Sequence, residues 1–264
     1  MFRKITYFYF AAVFTAAFFL YSNNASTEFV SGKVEFVVLE NDKAKEIGIL
    51  KIKDSVKSNH LIATAKGSRA EIKYDSKLWR LGSLTAAQWL NDESFWIHSG
   101  SALLCTEENS TVHFSSIESN ATFIGNGTII VEATSNGGFK FIPLEAKGSL
   151  TTAKGGTKVL QEGRMLFVLD NPSNFGDAYD IDLMLLVKSS RLLNYFPSPL
   201  PTFDQIGLAI YVQQLKLKGK YDALIGDATS KDNLQIWKFG KNAGKSVNSS
   251  DNTKGFFNKL FTKD

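Results

Sequence analysis

Cysteine is nearly missing from this 264-residue chain. Cys105 stands alone, so no intrachain disulfide can form and the fold must be held by its core. Histidine is scarce too: His60, His98 and His113 are scattered without paired ligand spacing, which argues against a zinc site. There are five prolines, three of them crowded at Pro197, Pro199 and Pro201. Charge is close to balanced. The net charge is +4, with Arg3 and Lys4 supplying two of those charges, too little to argue for nucleic acid. The segment Gly240-Lys-Asn-Ala-Gly244-Lys245-Ser246 imitates a phosphate loop, but it is one residue short and no apolar helix follows it. No serine sits in a nucleophile elbow. Asp170, Asp177, Asp180 and Asp182 lack the spacing of a calcium loop, and Asp180 and Asp182 read better as helix-start residues. Neither a catalytic set, a cofactor site nor a metal site is therefore expected.

Apolar residue is plentiful, at 44%, and includes 21 phenylalanines. The chain opens with Met-Phe-Arg-Lys, followed by an uncharged run from Ile5 to Tyr21, the pattern of an export signal or a membrane anchor. Residues 1–26 are assigned to that role, with Ala25 as the last residue removed if the signal is cleaved. Beyond Thr27 come short alternating runs separated by Gly, Asn, Ser and Asp. They are Val34–Glu40, Ile47–Ile52, Leu61–Ala65, Phe95–His98, Ala102–Cys105, Val112–Ser115, Ala121–Ile124, Thr128–Ala133, Phe139–Leu144, Ser149–Thr152, Thr157–Gln161 and Met165–Leu169. Turn signals about every 8–12 residues predict an all-β sandwich, barrel or roll with mainly antiparallel neighbours. Asn126-Gly127, Asn136-Gly137-Gly138 and Gly155-Gly156 read as turns. The plainest element is Gly67 to Gly82: Ala70, Ile72 and Tyr74 alternate with charged residues, Asp75-Ser76 turns the chain, and Trp79 and Leu81 alternate again.

The pattern changes after Asp170. Asn171 to Gly176 reads as a loop. Asp180 to Asn194 is dense enough in Leu, Ile and Val for one or two short helices capped by Asp182 and Ser189 or Ser190. A further helix runs to about Leu217 from a cap at Thr202 or Asp204, and Leu234–Phe239 reads as a last strand or docked segment. Lys241 to Lys254 reads as a flexible tail. It ends in an apolar-basic segment with Phe256, Phe257, Leu260 and Phe261 on one helical face, which reads first as packing on its own domain or staying disordered, with docking on a partner or a membrane surface as the alternative.

In their order, several of these pieces resemble a FecR-type domain, the extracytoplasmic β domain of ferric-citrate-type iron signalling regulators, in its stand-alone exported form. Gly67-Ser-Arg-Ala-Glu-Ile72 is similar to the family's Ser-Arg-Ala-Glu strand, and Arg80-Leu-Gly-Ser83 to its Arg-Leu-Gly-Ser. Ile97 to Leu104, Gly127-Thr-Ile-Ile-Val-Glu132, Gly163-Arg-Met165, and Asp180 to Ser190 with Pro199-Leu-Pro201 resemble later segments. The usual Asp-Gly turn is Asp75-Ser76 here, and the usual Leu-Glu-Gly is lengthened as Leu144-Glu-Ala-Lys-Gly148. The regulators carry a cytoplasmic anti-sigma segment ahead of their membrane span. Only Met1 to Lys4 precede the apolar run here, so sigma regulation is not carried over.

The expected fold is mainly β: an antiparallel roll or sandwich-like FecR-type domain at 28–170, a helical C-terminal extension at 171–240 and a tail at 241–264. The expected function is a non-enzymatic exported binding or scaffold module of the bacterial cell envelope, in the periplasm or outer envelope, working on other envelope proteins and not on nucleic acid. A sensor contacting an outer-membrane receptor is the alternative, and a polysaccharide-active enzyme the third. Candidate partner contacts are Trp89, Trp96, Phe256, Phe257 and Phe261. Core burial is the competing reading for the two tryptophans.

Overall fold

The computed structural model describes residues 25–40, 43–58, 60–217, 223–226 and 236–237. Alternation of apolar and polar residues produces strands β1 (Ala25–Ser31), β2 (Val34–Glu40), β3 (Lys43–Ile49), β4 (Ser55–Val56), β5 (His60–Thr64), β6 (Arg69–Tyr74), β7 (Lys77–Leu81), β8 (Ala86–Asn91) and β9 (Ser94–Ser99). Three long strands follow: β10 (Ser101–Ser115), β11 (Asn120–Ala133) and β12 (Phe139–Thr152). Then come β13 (Gly156–Val159), β14 (Arg164–Leu169), β15 (Asn174–Ile181), helices α1 (Leu183–Ser189), α2 (Arg191–Asn194) and α3 (Phe203–Leu217), and strands β16 (Ala223–Gly226) and β17 (Ile236–Trp237). The protein is mainly β with a few short helices, as its alternation predicts.

Among the described residues strand pairing is antiparallel except between β9 and the end of β10, where Ser94–Trp96 run parallel to His113–Ser115. The three long strands form a common floor. The first half of β10 pairs with β7, which continues through β6 to β1. Its second half joins β9, which continues through β8 and β5 to β2 and β3. Two layers therefore leave one edge of β10 and face each other. Trp79 of β7 stacks on Phe95 of β9 at 4.2 Å between ring centroids, and Phe114 of β10 meets both edge-on. At the other edge β12 splits likewise, pairing with β14 through Phe139–Phe141 and with β13 through Ser149–Thr152.

Asn126-Gly127 is not a turn. Gly127 lies within β11, opposite Thr106 of β10 and Ala146 of β12. The positive φ of Gly127 (113°) and Gly148 (130°) lets neighbouring backbones close in. A Cβ at Gly127 would collide with the Glu145 carbonyl oxygen. Glycine here keeps a long strand continuous. Other predicted boundaries move as well. β3 stops at Ile49, where Leu50 turns into the core at 2% exposure. Residues 174–176, expected in a loop, belong to β15. Strand pairing thus extends beyond 28–170 at both ends. At the start, Ala25 opens β1 opposite Val56 and is fully buried.

The outer face of the layer through β7 is closed by the helices. Across the sheet, Ile142, Ile130, Leu103, Arg80, Glu71 and Phe29 form one row. Leu183, Leu192, Leu193, Leu200, Ile206 and Ala209 pack in the same core as the apolar members of this row's first half. Asp182 caps α1 as predicted, accepting from the Leu185 N–H at 2.9 Å. Thr202 precedes α3, yet its hydroxyl is spent elsewhere, on the Thr128 hydroxyl and on Cys105 Sγ. Gln213 of α3 brackets the entry to α1, accepting from Leu183 N–H and donating to the Ile181 carbonyl.

Arg80 is the polar centre of this contact. It is fully buried and its Nε donates to Glu71 Oε2 at 2.7 Å. Its other nitrogens donate to the carbonyls of Leu192, Leu193 and Ser198. Phe196 lies 4.4 Å from the guanidinium, and Phe29 meets Phe196 edge-on. Arg69 donates to the Tyr195 carbonyl nearby at 2.6 Å. Arginine suits this place because its planar fork serves several acceptors at once.

Candidate interaction surface

The layer β3–β2–β5–β8–β9 has no such helical cover among the described residues. Its inward side carries Val34, Phe36, Ile62, Ala87 and Ile97 into the core. Period-two alternation then sends the intervening residues outward. One outward row reads Ile47, Val37, Leu61, Gln88 and Trp96 across five strands. Ile47 is 66% exposed, and Ile49 and Leu90 are also exposed on this layer. Val37, Leu61 and Trp96 are half-buried.

Trp96 and His98 sit two residues apart on β9 and stack, with ring centroids 4.4 Å apart and planes 23° from parallel. Burial lowers the His98 pKa below its ordinary value, which favours the neutral ring. Beside them Gln88 donates to the Ser58 carbonyl at 3.0 Å. On the inward side Phe36 covers Gly48 of β3 and stacks on His60. Burial, with Lys57 second, lowers the His60 pKa. The outward face is thus an apolar platform with an aromatic pair at one side and exposed isoleucines at the other. It offers contact area and no convergent proton-transfer groups.

Of the residues expected at a partner contact, Trp96 belongs to this platform. Trp89 does not: it is 2% exposed and meets Trp79 and Phe95 edge-on inside the core. Its place in β8, opposite Phe95, turns it inward, so it is a core residue and not a contact residue. Phe256, Phe257 and Phe261 lie outside the described residues. The platform's isoleucines were missed because alternation reveals that a strand has two faces without telling which is covered. Their signal was present in Ile47-Gly48-Ile49.

His113 hydrogen-bonds Thr122 Oγ1 at 2.9 Å, whereas Cys105 is buried under Thr202. These two therefore serve different surroundings from His98. No cluster of three metal-ligating side chains occurs among the described residues. A shallow cavity of about 320 Å³ lies between β13 and β14, lined by Lys158, Val159, Gln161, Arg164, Leu166 and Ala178. Arg164 pairs there with Asp180 at 3.0 Å, and Lys158 lies over the Phe175 ring. A second apolar stripe, Leu208, Tyr211 and Leu215, is exposed on α3.

Comparison with family models, with curated proteins and with solved structures returns no match.

Proposed function

We propose that the protein is a non-enzymatic binding module, exported to the bacterial cell envelope, that engages another envelope protein through the outward platform of β3, β2, β5, β8 and β9. The observation that carries this reading is the unequal treatment of the two layers. One outer face is sealed by three helices and a buried arginine, while the other leaves Ile47, Ile49 and Leu90 exposed on the same layer as Trp96. Exposed apolar surface grouped on one face favours a partner.

The FecR-type resemblance belongs to the same proposal. Its most specific segments occupy structural junctions. Ser83 Oγ accepts from the Gly67 N–H at 2.7 Å, Ser68 Oγ accepts from the Lys33 N–H at 2.9 Å, and Glu71 pairs with Arg80. Those residues have structural roles in this chain, and the basic start followed by the uncharged run from Ile5 to Tyr21 supports the envelope as the place of action.

The test is site-directed photocrosslinking in intact envelopes. A photoreactive residue at position 47 is expected to give a defined adduct. The same residue at Val159, which is 78% exposed on β13, serves as the control. No adduct from position 47, or an identical adduct pattern from both positions, defeats the proposal.

A further inference from the structure

We infer that Asn109 is an acceptor for N-glycosylation once the protein has left the cytoplasm. This rests on the export part of the proposed function and not on the platform. Asn-x-Ser/Thr triplets occur at Asn24, Asn109, Asn120, Asn126 and Asn248. Such a triplet alone is a weak signal in a chain rich in Asn, Ser and Thr. The bacterial form of the reaction also asks for a carboxylate two residues before the asparagine, where a cation of the transferase can pair with it. Glu107 holds that place for Asn109 and Glu118 for Asn120, whereas Ser22, Ile124 and Ser246 hold it for the others. Asp and Glu make up 26 of the 264 residues, so chance supplies fewer than one such acid across these triplets, against the two observed.

Geometry selects Asn109 from this pair. A transferase must draw the triplet into its own site, which a strand hydrogen-bonded on both edges resists. β10 loses both neighbours at this point. Its pairing with β7 ends at Thr106, and its pairing with β9 starts at His113. Against β11 the register jumps from Thr106–Gly127 to Ser110–Gly125, so residues 107–109 face Asn126 alone and bow out of the ladder. Glu107, Glu108 and Asn109 are all exposed. The Asn109 amide, the Thr111 hydroxyl and both carboxylates have no partner among the described residues. Only main-chain oxygens hold the bow: the Glu107 carbonyl accepts from Asn126 Nδ2 at 3.1 Å, and the Glu108 carbonyl from the Thr106 hydroxyl at 2.9 Å. Asn120 is exposed as well, but its triplet is built into the sheet. Its N–H donates to Ser173 Oγ at 2.7 Å, Thr122 pairs with both His113 and Thr151, and the Thr122 hydroxyl is bonded to His113 Nδ1 at 2.9 Å. Asn126 spends its amide on the Glu107 carbonyl, and Thr128 is fully buried. Asn24 and Asn248 lie outside the described residues.

In the transfer, Asn109 Nδ2 bonds to the anomeric carbon of an oligosaccharide carried on a lipid diphosphate. The bond from that carbon to the diphosphate oxygen breaks, the lipid diphosphate leaves with the electron pair, and the amide gives up one proton to solvent. The test is peptide mapping by mass spectrometry of the full chain recovered from the envelope of the cells that make it. A glycan on Asn109 is expected, with Asn120 and Asn126 bare. Glu107→Gln should remove that glycan, and Glu108→Gln, on the same exposed bow, should leave it. Unchanged melting temperatures show that both variants are folded. A bare Asn109 overturns the inference, as does equal occupancy at Asn120 or Asn126, or a glycan that survives Glu107→Gln. If the chain stays inside the cell, the export reading falls and this inference with it. If it reaches the envelope with Asn109 bare, export stands and only the glycosylation is wrong.

Discussion

Replacing Arg80 by methionine removes a charge from a fully buried site while keeping much of the side-chain length. Glu71 would then remain with a side-chain exposure of 6% and no cation. Three carbonyls, at Leu192, Leu193 and Ser198, would lose their donor. Removing one partner of a buried pair costs about 3–5 kcal/mol because the other charge is left behind. The extension can relieve this by lifting away, but lifting exposes Leu192, Leu193 and Leu200, each worth about 1.5–3 kcal/mol when buried. Release is therefore no cheaper than strain, and the figure of about 3–5 kcal/mol stands for Arg80→Met. Urea denaturation followed by tryptophan fluorescence measures it, since Trp79 and Trp89 report on the neighbouring core. The double variant Glu71→Met/Arg80→Met leaves no lone charge and is expected to recover at least half of the loss. A single variant within about 1 kcal/mol of the parent refutes the reasoning, as does a double variant no better than the single.

Gly127→Ala drives a methyl group into the Glu145 carbonyl at positive φ, and a loss of about 1–3 kcal/mol is expected in the same denaturation assay. The His98 pKa is lowered by burial, so its contribution to stability is present above the unfolded value near ~6.5 and is lost as pH falls through the folded value. Thermal melts from pH 8 to 5 should show that decline, and His98→Gln should reduce it, leaving the share of His60, whose pKa burial also lowers. If the export signal is cleaved, Ala25 must stay with the mature protein, because it is a buried member of β1. Intact mass of the exported protein is expected to place the new N-terminus at or before Ala25, and a start at Ser26 or later contradicts the register of β1.

What was legible in the sequence was local. The hairpin of β6 and β7 announced itself through alternation and its Asp75-Ser76 turn, and Asp182 announced α1, because each signal and its partner lie within a few residues. The long strands were read as fragments, since glycine signals a turn in sequence and Gly127 needs its cross-strand neighbours to show otherwise. β1 was hidden beside the uncharged run from Ile5 to Tyr21, and β15 behind Asn171-Pro172. The platform was the least visible part. Trp89 and Trp96 lie on one strand pair and look alike in sequence. Only pairing across five strands, from Ile47 to Trp96, shows which side of the layer each one takes.

The shared floor has a thermodynamic consequence. β10, β11 and β12 carry Leu104, Ile129 and Phe141 into one core, and Leu103, Ile130 and Ile142 into the other. Neither core can melt without dissolving hydrogen bonds that hold the other in place. Cooperativity is thus built into three strands and is not left to an interface between separable halves. The amides of these strands are expected to exchange together as the slowest unit, opening when the whole β assembly opens.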